Sequence, residues 1–273
     1  MPNTRFDVGF IGTGSMGGML VRAFLGSEVV PTEHIWLANR SRKKLELLAS
    51  EFPGVHCGPS ERVAQQSEIL FIAVKPSDTA NVLTTIEHNL RADHLCVFLT
   101  NVFSFAQLEQ RLPCAVAKLI PTVTQQINQG AALVGYGSRT TPEHARRLEQ
   151  LLAPTCRLLH VEEHQIRLFG DITSCGPAFL ALCIDELCRQ ASAIAPSLSG
   201  PELATACIET LAATTNLLRT GMKPRELICE VAVPGGMTEA GMNVLRQLLP
   251  PLFASLFSAT RQAEQQKREA LPL

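Results

Sequence analysis

Apolar residues are distributed differently in the two halves of the chain. In the first half, short apolar runs alternate with polar or amphipathic stretches, the pattern of buried parallel strands separated by helices. The chain therefore predicts an N-terminal α/β domain over residues 1–161, followed by an all-α domain over 162–273. The predicted strands cover residues 5–8, 34–38, 55–57, 68–74, 95–99, 116–120, 131–136 and 156–160.

The second half lacks strand-like runs and is rich in Ala and Leu. Pro residues near helix starts favour helices at 177–193, 201–219, 224–231 and 239–258, with a polar tail from Arg261. The segment 205–218 is nearly apolar all round, which is unfavourable for a helix standing alone in water. We therefore expect a homodimer through the C-terminal helices, or a higher oligomer built on it.

A glycine-rich turn connects the first strand to the first helix. Gly12, Gly14 and Gly17 form the pattern G-x-G-x-x-G, with Ser15 and Met16 before the last glycine. In this strand–turn–helix context the pattern predicts a Rossmann fold that binds a dinucleotide, its pyrophosphate at the helix N-terminus. The alternative is a glycine-rich turn that binds no ligand.

The end of the second predicted strand indicates which dinucleotide is bound. NAD enzymes place an acidic residue about 20 residues after the glycines to bind the ribose hydroxyls. Here that place holds Asn39, Arg40 and Ser41. Guanidinium and hydroxyl donors suit a 2′-phosphate, so we expect NADPH, with NADH as the alternative. A solvated charged loop would also account for these residues.

A second predicted ligand edge follows the strand 68–74. Ala73, Val74, Lys75 and Pro76 come where that strand ends, at the carboxyl edge where open α/β sheets bind ligands. We therefore expect these four residues to contact the cofactor.

Two Gly/Pro-rich loops each open a helix in the second half. Small residues at a helix start leave main-chain N–H groups accessible to a carboxylate. Helix capping by Ser174, Cys175 or Thr238 is the simpler interpretation. The loops are Ser174-Cys175-Gly176-Pro177-Ala178 and Pro234-Gly235-Gly236-Met237-Thr238.

Composition narrows the class of protein. The net charge of −1, one Trp and one Tyr disfavour a nucleic-acid partner. No signal pattern and no apolar run of about 20 residues were evident, so we expect a cytoplasmic protein without a membrane partner. Nine cysteines without C-x-x-C and scattered histidines predict reduced thiols and no metal site.

These motifs, in this order and spacing, resemble the pyrroline-5-carboxylate reductase family along essentially the whole chain. The resemblance implies a Rossmann domain, a helical dimerisation domain and NAD(P)H-dependent reduction of a cyclic imino acid, 1-pyrroline-5-carboxylate, to proline. It implies that Lys75 lies near the nicotinamide. It also implies that the loops 174–178 and 235–238 bind the substrate carboxylate and ring nitrogen across the dimer interface.

The implied catalytic groups are Thr238, donating to the imine nitrogen, and Lys75, supplying positive potential. Main-chain N–H groups near Cys175, Gly176 and Gly236 would bind the carboxylate. The family usually has two threonines in the last loop, and here the first is replaced by Met237. The loop 171–179 is more similar to the late-competence paralogues of the family than to its proline-pathway enzymes.

Two other functions are weighed against this one. A β-hydroxyacid dehydrogenase would need a lysine on a long helix of the second domain, and Lys223 and Lys267 do not sit in such places. A non-catalytic or weakly active NADP(H)-binding paralogue with a competence-related regulatory role is the remaining alternative, because function depends on the site rather than the fold.

Overall fold

The computed structural model describes residues 6–271 and 273. The chain forms two compact units, residues 1–176 together with 261–273, and residues 177–260. The first unit extends past the predicted domain boundary at residue 161, because the helix Ile166–Thr173 packs against the strand Ala131–Tyr136. The division of the chain into domains at residues 161/162 stays a prediction from the sequence.

The first unit is built on a single eight-stranded sheet with the order β3-β2-β1-β4-β5-β6-β7-β8. All neighbouring strands pair in parallel except β6 and β7, which are antiparallel. The first strand begins three residues later than predicted, and Arg5 lies outside the described residues. The strands are β1 Val8–Ile11, β2 Ile35–Ala38, β3 His56–Cys57, β4 Ile69–Ile72, β5 Leu95–Phe98, β6 Ala115–Ile120, β7 Ala131–Tyr136 and β8 Arg157–His160.

Helices cover both faces of this sheet. They are α1 Ser15–Gly26, α2 Arg42–Glu51, α3 Ser60–Gln66, α4 Pro76–Ile86, α5 Phe105–Arg111, α6 Pro142–Leu152 and α7 Ile166–Thr173. The six inner strands are mainly buried and contribute alternate residues to two cores, whereas the edge strands β3 and β8 are more exposed. Phe10 and Phe71 stack with centroids 4.7 Å apart in one core, while Leu70 and Ile72 pack into the other. This layering is the predicted Rossmann architecture.

The second unit is all helical, as predicted. It contains α8 Gly176–Ile194, α9 Gly200–Arg219, α10 Pro224–Val231 and most of α11 Met237–Ala270. The last helix was predicted to span 239–258, but α11 continues to Ala270, so the polar segment from Arg261 is helical. Pro250 and Pro251 lie inside this helix. None of the residues 177–260 is buried within the chain.

One segment contradicts the expectation that no run is long and apolar enough to cross a membrane. Within the described residues, Glu163–Ile194 contains an 18-residue window of mean hydropathy 1.3, of which 17% is buried. Length and composition alone are weak indications, because a helix that associates with a second protein copy has the same properties. The segment also contains the ion pair between Arg167 and the buried Asp171.

Candidate functional site

The turn between β1 and α1 has the geometry that its glycines predict. Gly12 adopts φ +98°, and a Cβ there would lie 2.6 Å from the main-chain oxygen of Ala73. A Cβ on Gly17 would lie 2.0 Å from the main-chain oxygen of Gly12. The turn therefore packs directly against the end of β4, and α1 packs directly against the turn.

The second glycine faces open space instead. A Cβ on Gly14 would meet no atom within 4 Å, and Gly14 is the N-cap of α1. The first N–H groups of a helix have no partner within it, so Ser15 and Met16 begin a helix whose positive end faces this space. The hydroxyl of Thr13, in the same turn, is buried and has no hydrogen-bond partner among the described residues.

A cavity of about 450 Å³ opens at this edge of the sheet. Seven of the twelve predicted cofactor residues line it, while Ser15, Met16, Gly17, Ser41 and Pro76 do not. The lining residues are Ile11, Gly12, Gly14, Ala38, Asn39, Arg40, Gly58, Pro59, Ser60, Ala73, Val74, Lys75, Asp78, Asn81, Val82 and Thr85.

The cavity is electropositive on balance. Among its described lining residues, Arg40 and Lys75 are cations and Asp78 is the one carboxylate. Arg40 is exposed and forms no ion pair with the described residues, whereas its neighbour Arg42 pairs with Glu46 at 2.9 Å. Arg40 is therefore free to contact an anionic ligand.

The carboxyl end of β4 contributes the second predicted group. Ala73 and Val74 are half-buried in the cavity wall, and Lys75 is the exposed N-cap of α4. Pro76 occupies the first position of α4, where its missing N–H costs no hydrogen bond.

Sequence reasoning missed the rim formed by the β3–α3 turn and by α4. Ser60, Asn81 and Thr85 place polar side chains in the cavity lining. A signal was present, because Gly58-Pro59-Ser60 follows a predicted strand at the same sheet edge. Their approach to the glycine turn depends on the order of the strands, which the sequence does not show.

These residues fit a dinucleotide that carries an additional phosphate. The turn provides close main-chain approach, the start of α1 provides N–H donors, and Arg40 provides a guanidinium at the end of β2. A carboxylate at the end of β2 would repel a ribose 2′-phosphate, and the lining residues include none at that position.

The first predicted substrate loop connects α7 to α8, and its residues 174–176 belong to the first unit. The N–H groups of Ser174 and Cys175 both donate to the oxygen of Gly170, at 2.9 and 3.0 Å. Ser174 is the C-cap of α7. Main-chain donors for a carboxylate would therefore come from Gly176 and the following turn of α8, rather than from Cys175.

The base of this loop is held by an ion pair. Arg167 donates to Asp171, whose side chain is 1% exposed, and to the sulfur of Cys175 at 3.6 Å. Burial lowers the pKa of Arg167, but the charge and hydrogen bond of Asp171 outweigh it, and the pKa lies above its ordinary value. The loop is therefore held by an ion pair between two residues that lie one helical turn apart on α7.

The second predicted substrate loop lies in the second unit, before α11. Gly235 adopts φ +74°, its N–H donates to Glu239 at 2.7 Å, and the N–H of Gly236 donates to Val233 at 3.0 Å. Thr238 is the second residue of α11, so it does not cap the helix. Its side chain is exposed, and its hydroxyl makes no hydrogen bond within the described part of the chain.

Comparison with known proteins gives two family models that match separate parts of the chain. One, described as NADP oxidoreductase coenzyme F420-dependent, matches residues 7–101. The other, described as pyrroline-5-carboxylate reductase dimerisation, matches residues 163–269. The fold and the cavity therefore define an NADPH-dependent oxidoreductase, with NADH as an alternative cofactor, that carries a dimerisation domain.

Whole-chain relatives identify the family. ComE operon protein 4 of Bacillus subtilis is 30% identical, covering 93% of this chain and 93% of its own length. Pyrroline-5-carboxylate reductase 3 of Bacillus subtilis is 26% identical, covering 93% and 94%. The chain belongs to the pyrroline-5-carboxylate reductase family, whose members are reductases that act on a C=N bond.

Solved structures confirm the fold over the full length. A pyrroline carboxylate reductase of Plasmodium falciparum with NADP bound gives a TM-score of 0.84 at 18% identity, covering 98% of this chain and 99% of its own. The 1-pyrroline-5-carboxylate reductase of Streptococcus pyogenes gives 0.83 at 18% identity, covering 97% and 98%.

Proposed function

We propose that this enzyme reduces a cyclic imine, 1-pyrroline-5-carboxylate, to L-proline with NADPH. The observation that carries the proposal is the cavity at the β1, β2 and β4 ends, where Arg40 stands in place of a ribose-binding carboxylate. Pyrroline-5-carboxylate reductases of Bacillus subtilis and Arabidopsis thaliana, 26% and 25% identical over more than nine tenths of the chain, support the substrate.

The first unit supplies the cofactor-binding groups in this proposal. Gly12 and Gly14 leave room for the pyrophosphate, and Asn39 and Arg40 in the cavity lining hold the 2′-phosphate, with Ser41 beside them at the start of α2. Lys75, at the end of β4, supplies positive potential near the nicotinamide, which delivers a hydride to the imine carbon when bound. Positioning of this kind contributes several kcal/mol, on the order of 7 or more, to lowering the barrier.

The two Gly/Pro-rich loops supply the substrate-binding groups. Thr238 donates a hydrogen bond to the imine nitrogen, since its hydroxyl is not used within the chain. Gly176 and the first turn of α8 bind the carboxylate, with Ser174 and Cys175 shaping the loop around it. Gly235 and Gly236 keep side chains away from the ring, because neither carries a Cβ.

An NADPH-oxidation assay with 1-pyrroline-5-carboxylate and related cyclic imino acids tests this function. The Thr238→Ala variant should lose about 10- to 100-fold in kcat/KM, the value of one hydrogen bond to a developing charge. Thr205→Ala is the matched control, because its hydroxyl bonds only to Pro201 within α9. Full activity of Thr238→Ala would exclude Thr238 from the mechanism.

A weakly active NADP(H)-binding paralogue with a competence-related regulatory role is the second candidate. It is favoured by the 30% identity to ComE operon protein 4 and by Met237 in place of a threonine. It predicts tight NADPH binding with little or no turnover of any cyclic imino acid in the same assay.

We further propose a homodimer in the cytoplasm, built through the C-terminal helices and able to assemble further. The apolar segment Glu163–Ile194 overlaps the dimerisation region at residues 163–269, which accounts for its low burial in one chain. Sedimentation analysis of the purified protein should give twice the chain mass or a multiple of it, and a stable monomer would contradict the proposal.

A further inference from the structure

The C-terminal end of α11 returns to the Rossmann unit. Residues 261–273 belong to the same compact unit as the sheet, although α11 begins in the second unit. Leu271 and Leu273 pack against the core on one face of the sheet. A helix end that looks like a polar tail in the sequence is therefore anchored to the domain that binds the cofactor.

The anchoring contacts converge on Asn101, in the loop after β5. The side-chain nitrogen of Asn101 donates to Glu264 at 2.9 Å, and the guanidinium of Arg268 donates to the main-chain oxygen of Asn101 at 2.6 Å. The ammonium of Lys118, on β6, donates to the side-chain oxygen of Asn101 at 3.2 Å. Three polar atoms of one residue are thus held by two different elements.

The network around Asn101 is partly buried and balanced in charge, with the Arg268 side chain 36% exposed at its edge. Asn101 is 9% exposed, Lys118 is fully buried, and the Glu264 side chain is 13% exposed. Lys118 also donates to Glu163, which accepts from the N–H of Phe105 at 2.7 Å. Because unmaking a hydrogen bond to a buried charged group is costly, the loop has little freedom to move.

The position of this loop connects the network to the cofactor. β4 and β5 are parallel neighbours with Ile72 opposite Phe98, so the segments that follow them leave the sheet side by side. Ala73 and Lys75 line the cavity on the β4 side. A Rossmann sheet binds the two halves of a dinucleotide across its switch point, so the loop after β5 lies in the half beyond the adenosine cavity.

We propose that Glu264 and Arg268 are positioning residues that hold the Asn101 loop for the nicotinamide half of the cofactor. The inference rests on NADPH as the cofactor and adds the C-terminal helix end to the site of the proposed reductase. Asn101 itself is not assigned a ligand-binding role, because its side-chain atoms are already used within the protein.

Equilibrium binding of two ligands separates positioning from general stabilisation. NADPH spans both halves of the site, whereas 2′,5′-ADP carries only the adenosine half and the additional phosphate. In Arg268→Ala the dissociation constant of NADPH should rise about 5- to 30-fold, the effect of losing a charge-assisted hydrogen bond, while that for 2′,5′-ADP changes by less than about twofold.

Two further variants control the experiment. Lys267→Ala removes the same charge from the same helical turn, where Lys267 makes no ion pair with the described residues, and should bind both ligands normally. Arg268→Lys keeps a cationic donor and should recover part of the NADPH affinity. If Arg268→Ala does not fold, Glu264→Gln should show the same contrast between ligands at smaller size.

If Arg268→Ala raised the dissociation constants of both ligands equally, or changed neither, the inference would be overturned. Its failure is distinguishable from failure of the proposed function. If Arg268→Ala weakens NADPH but not 2′,5′-ADP, and the enzyme does not turn over 1-pyrroline-5-carboxylate, the positioning role stands and the proposed substrate is wrong. If the unsubstituted enzyme turns over 1-pyrroline-5-carboxylate but the variants bind both ligands with equal change, the proposed substrate stands and the positioning role is wrong.

Discussion

Alanine substitutions at Gly14 and Gly17 should have different effects: Gly14→Ala should weaken cofactor binding, and Gly17→Ala should lower the stability of the fold. The two glycines lie three residues apart at the start of α1, but their surroundings differ. An added Cβ at Gly17 would sit 2.0 Å from the main-chain oxygen of Gly12 and 2.9 Å from the Cβ of Ala73. At Gly14 it would meet nothing within 4 Å, in a conformation with φ −73° that alanine adopts readily.

The expected magnitudes follow from these distances. Main-chain atoms cannot move aside, so Gly17→Ala must shift α1 against the turn, and overpacking of this kind costs about 1–3 kcal/mol. For a domain of this size that lowers Tm by about 2–12 °C. Gly14→Ala should leave Tm within about 2 °C of the parent, because a surface substitution without contacts changes stability little.

Binding of NADPH should rank the variants differently. A methyl group at Gly14 would occupy the space in which the pyrophosphate approaches the main chain, so we expect at least about a tenfold loss of affinity there. Thermal unfolding and fluorescence titration of NADPH measure the two effects independently. Unchanged affinity in Gly14→Ala would refute the assignment of this space to phosphate, and unchanged Tm in Gly17→Ala would refute the close approach.

Two further predictions concern cofactor choice and alkaline pH. In titrations, Arg40→Ala should weaken the binding of NADPH about 5- to 50-fold and the binding of NADH hardly at all. Arg42→Ala is the control, because Arg42 is already paired with Glu46. Equal loss of affinity for both nucleotides would contradict a 2′-phosphate contact. Burial, and secondly the hydrogen bond and charge of Glu149, raise the pKa of Tyr136 above its ordinary value of 10. The folded state therefore keeps this proton longer, and the free energy of unfolding should fall as pH rises above about 10. As Tyr136 is the single tyrosine of the chain, tyrosinate absorbance reports it alone, and a midpoint near 10 in the folded protein would contradict the shift.

The regular elements were predicted well where the apolar pattern was strong. The strand Ala131–Tyr136 and the helix Pro224–Val231 have the predicted bounds. The helices α4 and α5 were not predicted, because α4 is rich in Ser, Thr, Asn and Asp, which give no clear apolar stripe. The reversal of direction between β6 and β7 was also beyond the sequence, since a buried strand has the same apolar run in either orientation.

The candidate site likewise has residues that the sequence predicts and residues that it does not. The glycine turn and the end of β2 could be predicted, because both are local segments whose chemistry follows from position relative to one strand. Asn81 and Thr85 could not, since they meet the turn only through the order of strands. The contacts of Glu264 and Arg268 with Asn101 join positions far apart in the chain, and the polar sequence of the tail resembles any solvated helix.

The helical unit exposes most of its large apolar side chains, and we expect its folding to be coupled to the proposed association. Among the residues that the structure describes, seventeen of the twenty-three exposed large apolar side chains lie between residues 177 and 260, and none of the residues in that range is buried. Burial of one such side chain contributes about 1.5–3 kcal/mol, so a unit without its own core lacks the main source of stability that the first unit has. Two such surfaces covering each other would supply it. The loop at Gly235 and Thr238 belongs to this unit, so under the proposed association its geometry would depend on the second protein copy as well as on its own glycines.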